Sequence, residues 1–195
     1  LYPCHCSRGD IRAAIAAPQE GPVPVGPDGL VYPGTCRNRP RTGPRPDAAL
    51  RLDIRRAVAR TGDVAFRELS EERTIRVTPA TLVAGTGDVV LARRGIGTSY
   101  HLSVVVDDAE QRISHVVRGR DLFEATAIHV VLQRLLGLPV PEYLHHRLVR
   151  DADGRRLAKR HDARAIAAYR DAGASPADLR RMVGLGVRDG SPAAA

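Results

Sequence analysis

Three cysteines fall within the first 36 residues, as Cys4-His5-Cys6 and then Cys36. The stretch between them includes Gly21-Pro22-Val23-Pro24-Val25-Gly26-Pro27-Asp28-Gly29, which can bury little apolar surface of its own. A metal would replace the missing core, because in small loop-rich units zinc-binding free energy is folding free energy. Three thiolates and one further ligand complete a tetrahedron. The Cys-x-Cys spacing is tighter than the usual Cys-x-x-Cys knuckle and there is no fourth cysteine, so the remaining position is open to His5, Tyr32 or water. The alternative is three reduced thiols, since an odd number argues against a disulfide framework.

A second chemical candidate lies far downstream. Lys159 is the only lysine among 30 cationic side chains, and a flexible ammonium does things a planar guanidinium cannot. It sits in Arg155-Arg156-Leu157-Ala158-Lys159-Arg160, after the turn-like Asp151-Ala152-Asp153-Gly154. A Gly-containing loop carrying such an ammonium suits the stabilisation of nucleotide phosphates as they separate; survival of one lysine on a solvated loop is the plainer reading. Arg118, followed by Gly119 and a helix start, could aim a guanidinium fork at a carboxylate or phosphate, or form a surface ion pair.

These residues need elements to hold them. Ser7–Ala16 reads as a short helix with a serine cap, ended by Pro18, and residues 37–50 read as a surface loop. Segments 64–69, 73–78 and 88–93 read as short strands of an antiparallel or mixed β insertion. Tyr100–Asp108 reads as an apolar strand ending in two acids, the place where open α/β sheets put their ligands. A helix over about 122–136, apolar on one face, is stopped by Gly137. His145-His146 lies between apolar positions and reads as packing or facing solvent. Asp162–Asp171 reads as an amphipathic helix, and Ser175-Pro176-Ala177-Asp178 opens another with a cap, a first-position proline and an acid.

Composition sets outer bounds. The 195 residues suffice for one good core with a small appendage, and with 4% aromatics and no Trp that core must be aliphatic. A formal charge of +8 makes a polyanionic partner plausible, whereas the aromatic interleaving of a single-strand binder is missing. No apolar run approaches the ~18 residues of a membrane span, and Leu1-Tyr2-Pro3-Cys4 has no secretory signal. A soluble, cytoplasmic monomer is the expectation.

Taken in order, Tyr2-Pro3-Cys4-His5-Cys6-Ser7-Arg8, Tyr32-Pro33-Gly34-Thr35-Cys36-Arg37, Ser99-Tyr100-His101-Leu102, Val104-Val105-Val106-Asp107-Asp108, Val117-Arg118-Gly119-Arg120-Asp121-Leu122 and Arg156-Leu157-Ala158-Lys159-Arg160 resemble class I aminoacyl-tRNA synthetases specific for glutamate. They look most like the short branch that modifies queuosine in tRNA(Asp). The resemblance implies an α/β fold: part of a Rossmann-type catalytic domain with a zinc-binding insertion. Its implied divisions are a zinc-binding subdomain over 1–45, the remainder of the catalytic domain over 46–150, and a KMSKS-type loop with C-terminal helices over 151–195.

The resemblance selects Cys4, Cys6, Tyr32 and Cys36 as zinc ligands and leaves His5 a neighbour. It places Tyr100 and Arg118 against glutamate and Lys159 against ATP, supplied with Mg2+, although Ala158 and Arg156 depart from the KMSKS pattern. The implied reaction activates glutamate as an adenylate and transfers it to queuosine in the anticodon of tRNA(Asp). The family's HIGH signature should lie upstream of the zinc region and is not found in these 195 residues. The chain also opens on a motif without an initiator Met, so only part of the active site is expected here. A fragment of a conventional glutamyl-tRNA synthetase and a non-catalytic zinc and RNA-binding module are the alternative expectations.

Overall fold

The structure, a computed structural model, describes residues 1–16, 24–39, 48–93, 95–150, 154, 156–157 and 165–185. The chain divides into two compact units, Leu1–His146 and Arg147–Ala195.

The first unit is built on two main sheets. In one, β1 (Tyr2–Cys4), β4 (Ala49–Leu52) and β7 (Val89–Ala92) pair antiparallel in the order β1-β4-β7. The strand carrying the first cysteine is therefore fastened to residues 45 positions and more downstream. In the other, β5 (Val64–Glu68), β6 (Arg73–Val77), β8 (His115–Gly119) and β9 (Glu142–His146) lie in the order β6-β5-β9-β8. The β5–β6 pair is an antiparallel hairpin, while β5–β9 and β8–β9 are parallel. A small hairpin joins β2 (Val25–Gly26) to β3 (Gly29–Leu30). The three strands expected between 64 and 93 are present, but β7 joins the cysteine-bearing sheet rather than the β5–β6 hairpin.

Among the described residues, the α-helices α1 (Arg8–Ala16), α2 (Ile54–Thr61), α3 (Pro79–Gly85), α4 (Tyr100–Glu110) and α5 (Thr126–Leu136) accompany these strands. Ser7 caps α1 as expected, with its Oγ accepting from Asp10 N and Asp10 Oδ2 accepting from Ser7 N. The segment expected as a strand, Tyr100–Asp108, is instead α4. Ser99 caps it, and His101 and Val105, one helical turn apart, are its buried residues. Packing of that face and the cap override the β preference of three consecutive valines. Asp107 and Asp108 therefore end a helix, not a strand.

The β8–α5–β9 segment is a parallel crossover unit. Its helix starts at Thr126, after a 3-10 turn over Arg120–Leu122, rather than at 122. Gly137 stops it in the left-handed conformation at φ 68, donating to Arg134 O and Gln133 O. The expected one-sided apolar stripe is wider in fact: every residue from Thr126 to Gln133 is buried, as a helix enclosed by the core requires. It packs on α2, α4 and β5, and Ile128, Val130 and Val131 join Ile54, Val64, Phe66, Val89 and Tyr143 in an aliphatic core with few aromatics.

In the second unit, α6 (Ile166–Asp171) and α7 (Pro176–Met182) are described. Ser175 and Asp178 close a reciprocal capping box on α7 with Pro176 in its first turn, as the sequence predicts. Among the described residues no helix is long and apolar enough to cross a membrane.

Candidate functional site

The cysteine cluster assembles from two chain segments. β1 carries Cys4, the following turn carries Cys6, and Cys36 lies in the turn after Tyr32. Their sulfurs all lie within 4.8 Å of one another, and this is the group of potential metal ligands found among the described residues. Cys6 Sγ is 3.5 Å from Cys36 Sγ. Tyr32 Oη lies 3.4 Å from Cys4 Sγ and 3.5 Å from Cys6 Sγ, and accepts from Cys36 N at 2.9 Å. His5 is exposed and outside the group.

The set suits a soft tetrahedral ion: ligand bonds of about 2.3 Å put sulfurs about 3.8 Å apart, within the observed range. Burial pushes the Cys36 thiol up, but bonds from Tyr32, the His5 backbone and the neighbouring thiols outweigh it and bring it to about 7. Burial is also the main influence on Cys6, which is pushed up to about 11. Cys36 therefore ionises before Cys6. Burial holds the Tyr32 phenol well above its usual range, reinforced by its contacts with the three thiols.

One buried carboxylate braces this cluster from behind. Asp88 accepts from Tyr2 Oη, from Arg37 Nε at 2.9 Å and from Ile54 N at 2.9 Å, so it ties β1, the cysteine turn and the start of α2 together. Next to it, Gly87 at φ 66 bridges to Tyr32. A Cβ there would stand 2.8 Å from Val31 Cγ1 and 3.0 Å from Tyr32 N, so the close approach requires glycine.

The second site surrounds Arg118, in β8. Its Nε donates to His145 Nε2 at 3.1 Å, NH1 lies 3.1 Å from His129 Nδ1, and NH2 donates to Thr126 Oγ1 at 2.7 Å and Leu122 O at 3.3 Å. Arg118 is 9% exposed, so it is not the surface ion pair that the sequence left open. His145 Nδ1 meets Glu68 Oε2 at 2.5 Å, and Glu68 Oε1 accepts from His145 N at 3.1 Å and Ser70 Oγ at 2.5 Å. Burial works against the Glu68 carboxylate, but the bonds from Ser70 and His145 prevail and hold it at about 2. His129 is pushed down to about 3 by burial and then by the positive charge of Arg118, and burial lowers His145 despite Glu68.

Tyr100 and Arg118 come together around His129. The Tyr100 ring stands edge-on to His129 with centroids 5.9 Å apart, and Tyr100 itself is 47% exposed. An exposed phenol thus adjoins a buried guanidinium, separated by one imidazole. His145 packs inward and His146 faces outward. Lys159 lies outside the described residues, as do Asp162 and the tail from 189 to 195. Sequence reading missed Glu68, His129 and Asp88; alternation in the Val64–Glu68 strand, which puts a charged residue on its buried face, was the available signal for Glu68.

Residues 47–191 match the family described as tRNA synthetases class I (E and Q), catalytic domain. The chain belongs to this family. Within it, the chain is 58% identical over 190 residues to a Rhodobacter capsulatus protein described as glutamyl-Q tRNA(Asp) synthetase, covering 95% of this chain and 67% of that one. It is 42% identical over 168 residues to a Burkholderia mallei protein of the same description, covering 85% of this chain and 52% of the relative. The class I chain thus spans between about half and two thirds of these curated relatives. Among solved structures, a glutamate tRNA ligase from Elizabethkingia meningosepticum in complex with its amino acid superposes with TM-score 0.54 at 24% identity, over 82% of this chain and 32% of that one. That likeness establishes the shared synthetase fold: an α/β catalytic domain with a mixed sheet.

Proposed function

We propose that this protein activates glutamate with ATP and transfers the glutamyl group to queuosine in the anticodon of tRNA(Asp). The observation that carries the reading is the 58% identity across 95% of the chain to a relative with that description. In the first step a glutamate carboxylate oxygen attacks the α-phosphate, the mixed anhydride forms and pyrophosphate leaves. In the second a queuosine hydroxyl attacks the activated carbonyl and AMP leaves. The protein's contribution is orientation and charge stabilisation rather than covalent chemistry.

Tyr100 and Arg118 take the roles of glutamate contacts, supported by their placement on either side of His129, where a phenol and a guanidinium can meet a substrate with two carboxylates. Lys159 takes the role of phosphate contact for ATP, which enters with Mg2+. Cys4, Cys6, Cys36 and Tyr32 take zinc, supported by the sulfur separations and by the Tyr32 hydroxyl facing two of the thiols. Bound zinc would cross-link the 1–45 region. The net charge of +8 suits an RNA partner.

The test supplies the full-length natural protein with ATP and labelled glutamate, and with tRNA(Asp) carrying or lacking queuosine. Label on the queuosine-containing tRNA alone is expected. Label at the 3' end of tRNA(Glu) would replace this reading with a conventional glutamyl-tRNA synthetase, and tRNA binding without glutamate-dependent pyrophosphate exchange would leave a non-catalytic module.

A further inference from the structure

Arg118 stands at the branch point of two hydrogen-bonded runs, and their directions follow from donor and acceptor chemistry. A guanidinium only donates. His145 Nε2 must therefore accept from Arg118 Nε–H, which puts the His145 proton on Nδ1, where the Glu68 carboxylate receives it. His129 Nδ1 likewise accepts from NH1, which puts its proton on Nε2, facing His101 Nδ1 at 3.0 Å. His101 then carries its proton on Nε2, 3.5 Å from Asp28 Oδ1. Both runs leave the same cation and end on a carboxylate, with every imidazole in one compatible tautomer.

We propose that His145 and His129 are positioning residues that fix the Arg118 guanidinium, and that Glu68 sets the His145 tautomer on which this depends. The inference rests on the reading that Arg118 receives a glutamate carboxylate. Of the five guanidinium N–H groups, four are directed to His145, His129, Thr126 and Leu122. Among the described residues one NH1 hydrogen remains for a ligand, and its direction is dictated by the imidazoles that hold the rest of the group. Burial keeps His129 neutral, so its Nδ1 is free to accept from Arg118 NH1. Indirect partners of this kind fix the tautomer and ring orientation of the histidine they touch.

Glu68→Gln separates geometry from volume. Oε1 faces three donors, Ser70 N, Ser70 Oγ and His145 N, so the amide oxygen belongs there and the amide NH2 faces His145 Nδ1. His145 must then move its proton to Nε2, where it opposes Arg118 Nε–H, donor against donor, and can turn only to Thr126 Oγ1, 3.2 Å away.

Nitrogen NMR of the full-length protein is expected to show His145 protonated on Nδ1 in the wild type and on Nε2 in Glu68→Gln, with the slowly exchanging Arg118 Nε–H signal lost. In glutamate-dependent pyrophosphate exchange the KM for glutamate should rise at least 10-fold, with the KM for ATP unchanged. Glu68→Asp, which keeps the charge, should retain the wild-type tautomer. An unchanged tautomer, or an unchanged glutamate KM with an altered tautomer, overturns the proposal; so does a uniform loss in kcat and both KM values, which would mark a merely structural role. If the wild type shows no exchange, the functional reading has failed, and the NMR result still decides whether Glu68 and His145 orient Arg118. Should Glu68→Gln not fold, His129→Asn removes the NH1 contact together with the one to His101, and a glutamate KM that stays at the wild-type value overturns the proposal.

Discussion

The Arg51 guanidinium lies 3.9 Å from the centre of the Tyr32 ring, on the residue whose hydroxyl faces the thiols. Arg51 is buried, its NH1 donates to Asp88 O at 2.7 Å, and its Nε has no partner among the described residues. A cation against the ring favours negative charge on the phenol oxygen, which is the form that ligates a metal. Replacing Arg51 by Met should weaken zinc binding by about 5-fold, the equivalent of roughly 1 kcal/mol, in competition with a chromogenic chelator. Unchanged competition would mean the stacking has no bearing on the site.

Metal content gives a more direct check. Purified protein should carry one zinc per chain, and Cys36→Ser should lose it together with part of its thermal stability, because in small loop-rich units metal binding is folding free energy. Tyr32→Phe should retain zinc more weakly, by at least about 10-fold, the scale seen for even indirect partners of a ligand. Full occupancy in Cys36→Ser would remove the cluster from consideration.

Asp88→Ala should be among the most damaging single changes outside the aliphatic core. It strips the acceptor from Tyr2, Arg37 and Ile54 N together and leaves Arg37 without its 2.8 Å partner. The expected cost is about 3–5 kcal/mol, as for breaking a buried pair from one side, against about 1 kcal/mol for Tyr2→Phe. Urea unfolding measures both, and equal losses would contradict the hub role of Asp88.

Acid should destabilise the protein in two stages. His129 is pushed down from 6.5 to about 3, so below about pH 6.5 the unfolded state gains a proton that the folded state refuses, and stability falls toward pH 3 by up to about 1.4 kcal/mol per pH unit. Glu68, held at about 2 against an ordinary 4.5, adds a second loss as pH drops from about 4.5 toward 2. Urea unfolding at pH 7, 6 and 5 should show the first stage, and His129→Asn should remove about one proton from the slope. Stability that rises on acidification would refute the assignment.

Lys159→Ala should slow adenylate formation by about 100-fold, the cost of losing one charge-stabilising donor, and leave the melting temperature unchanged. Single-turnover pyrophosphate release from full-length protein measures this, and an unaltered rate would remove Lys159 from the chemistry.

Legibility in the sequence tracked the range of the interaction. The cap on α7 was readable because Ser175, Pro176 and Asp178 act on one another within a single turn. The three cysteines stood out because their type and spacing suit a metal, and the fold brings their sulfurs within 4.8 Å of one another. α4 was misread because Val104-Val105-Val106 favours a strand locally, and only the burial of His101 and Val105 on one face decides otherwise. The surroundings of Arg118 were beyond local reasoning: its partners stand 11 and 27 positions away on α5 and β9, and polar residues inside a core follow no periodicity until the fold places them.

The contact between β5 and β9 has a mechanical consequence. The two strands share one registered pair, Glu68 with Tyr143, extended by Leu69 N donating to Tyr143 O at 2.7 Å. Within the sheet the β5–β6 hairpin and the β8–α5–β9 crossover thus meet at a strand seam barely one residue long, backed by α5 packing on β5, and the Glu68 side chain is the rivet that passes through that seam to His145. Its neighbours hold Glu68 at about 2, so the rivet keeps its charge through mild acid and the seam loosens only as that carboxylate is protonated.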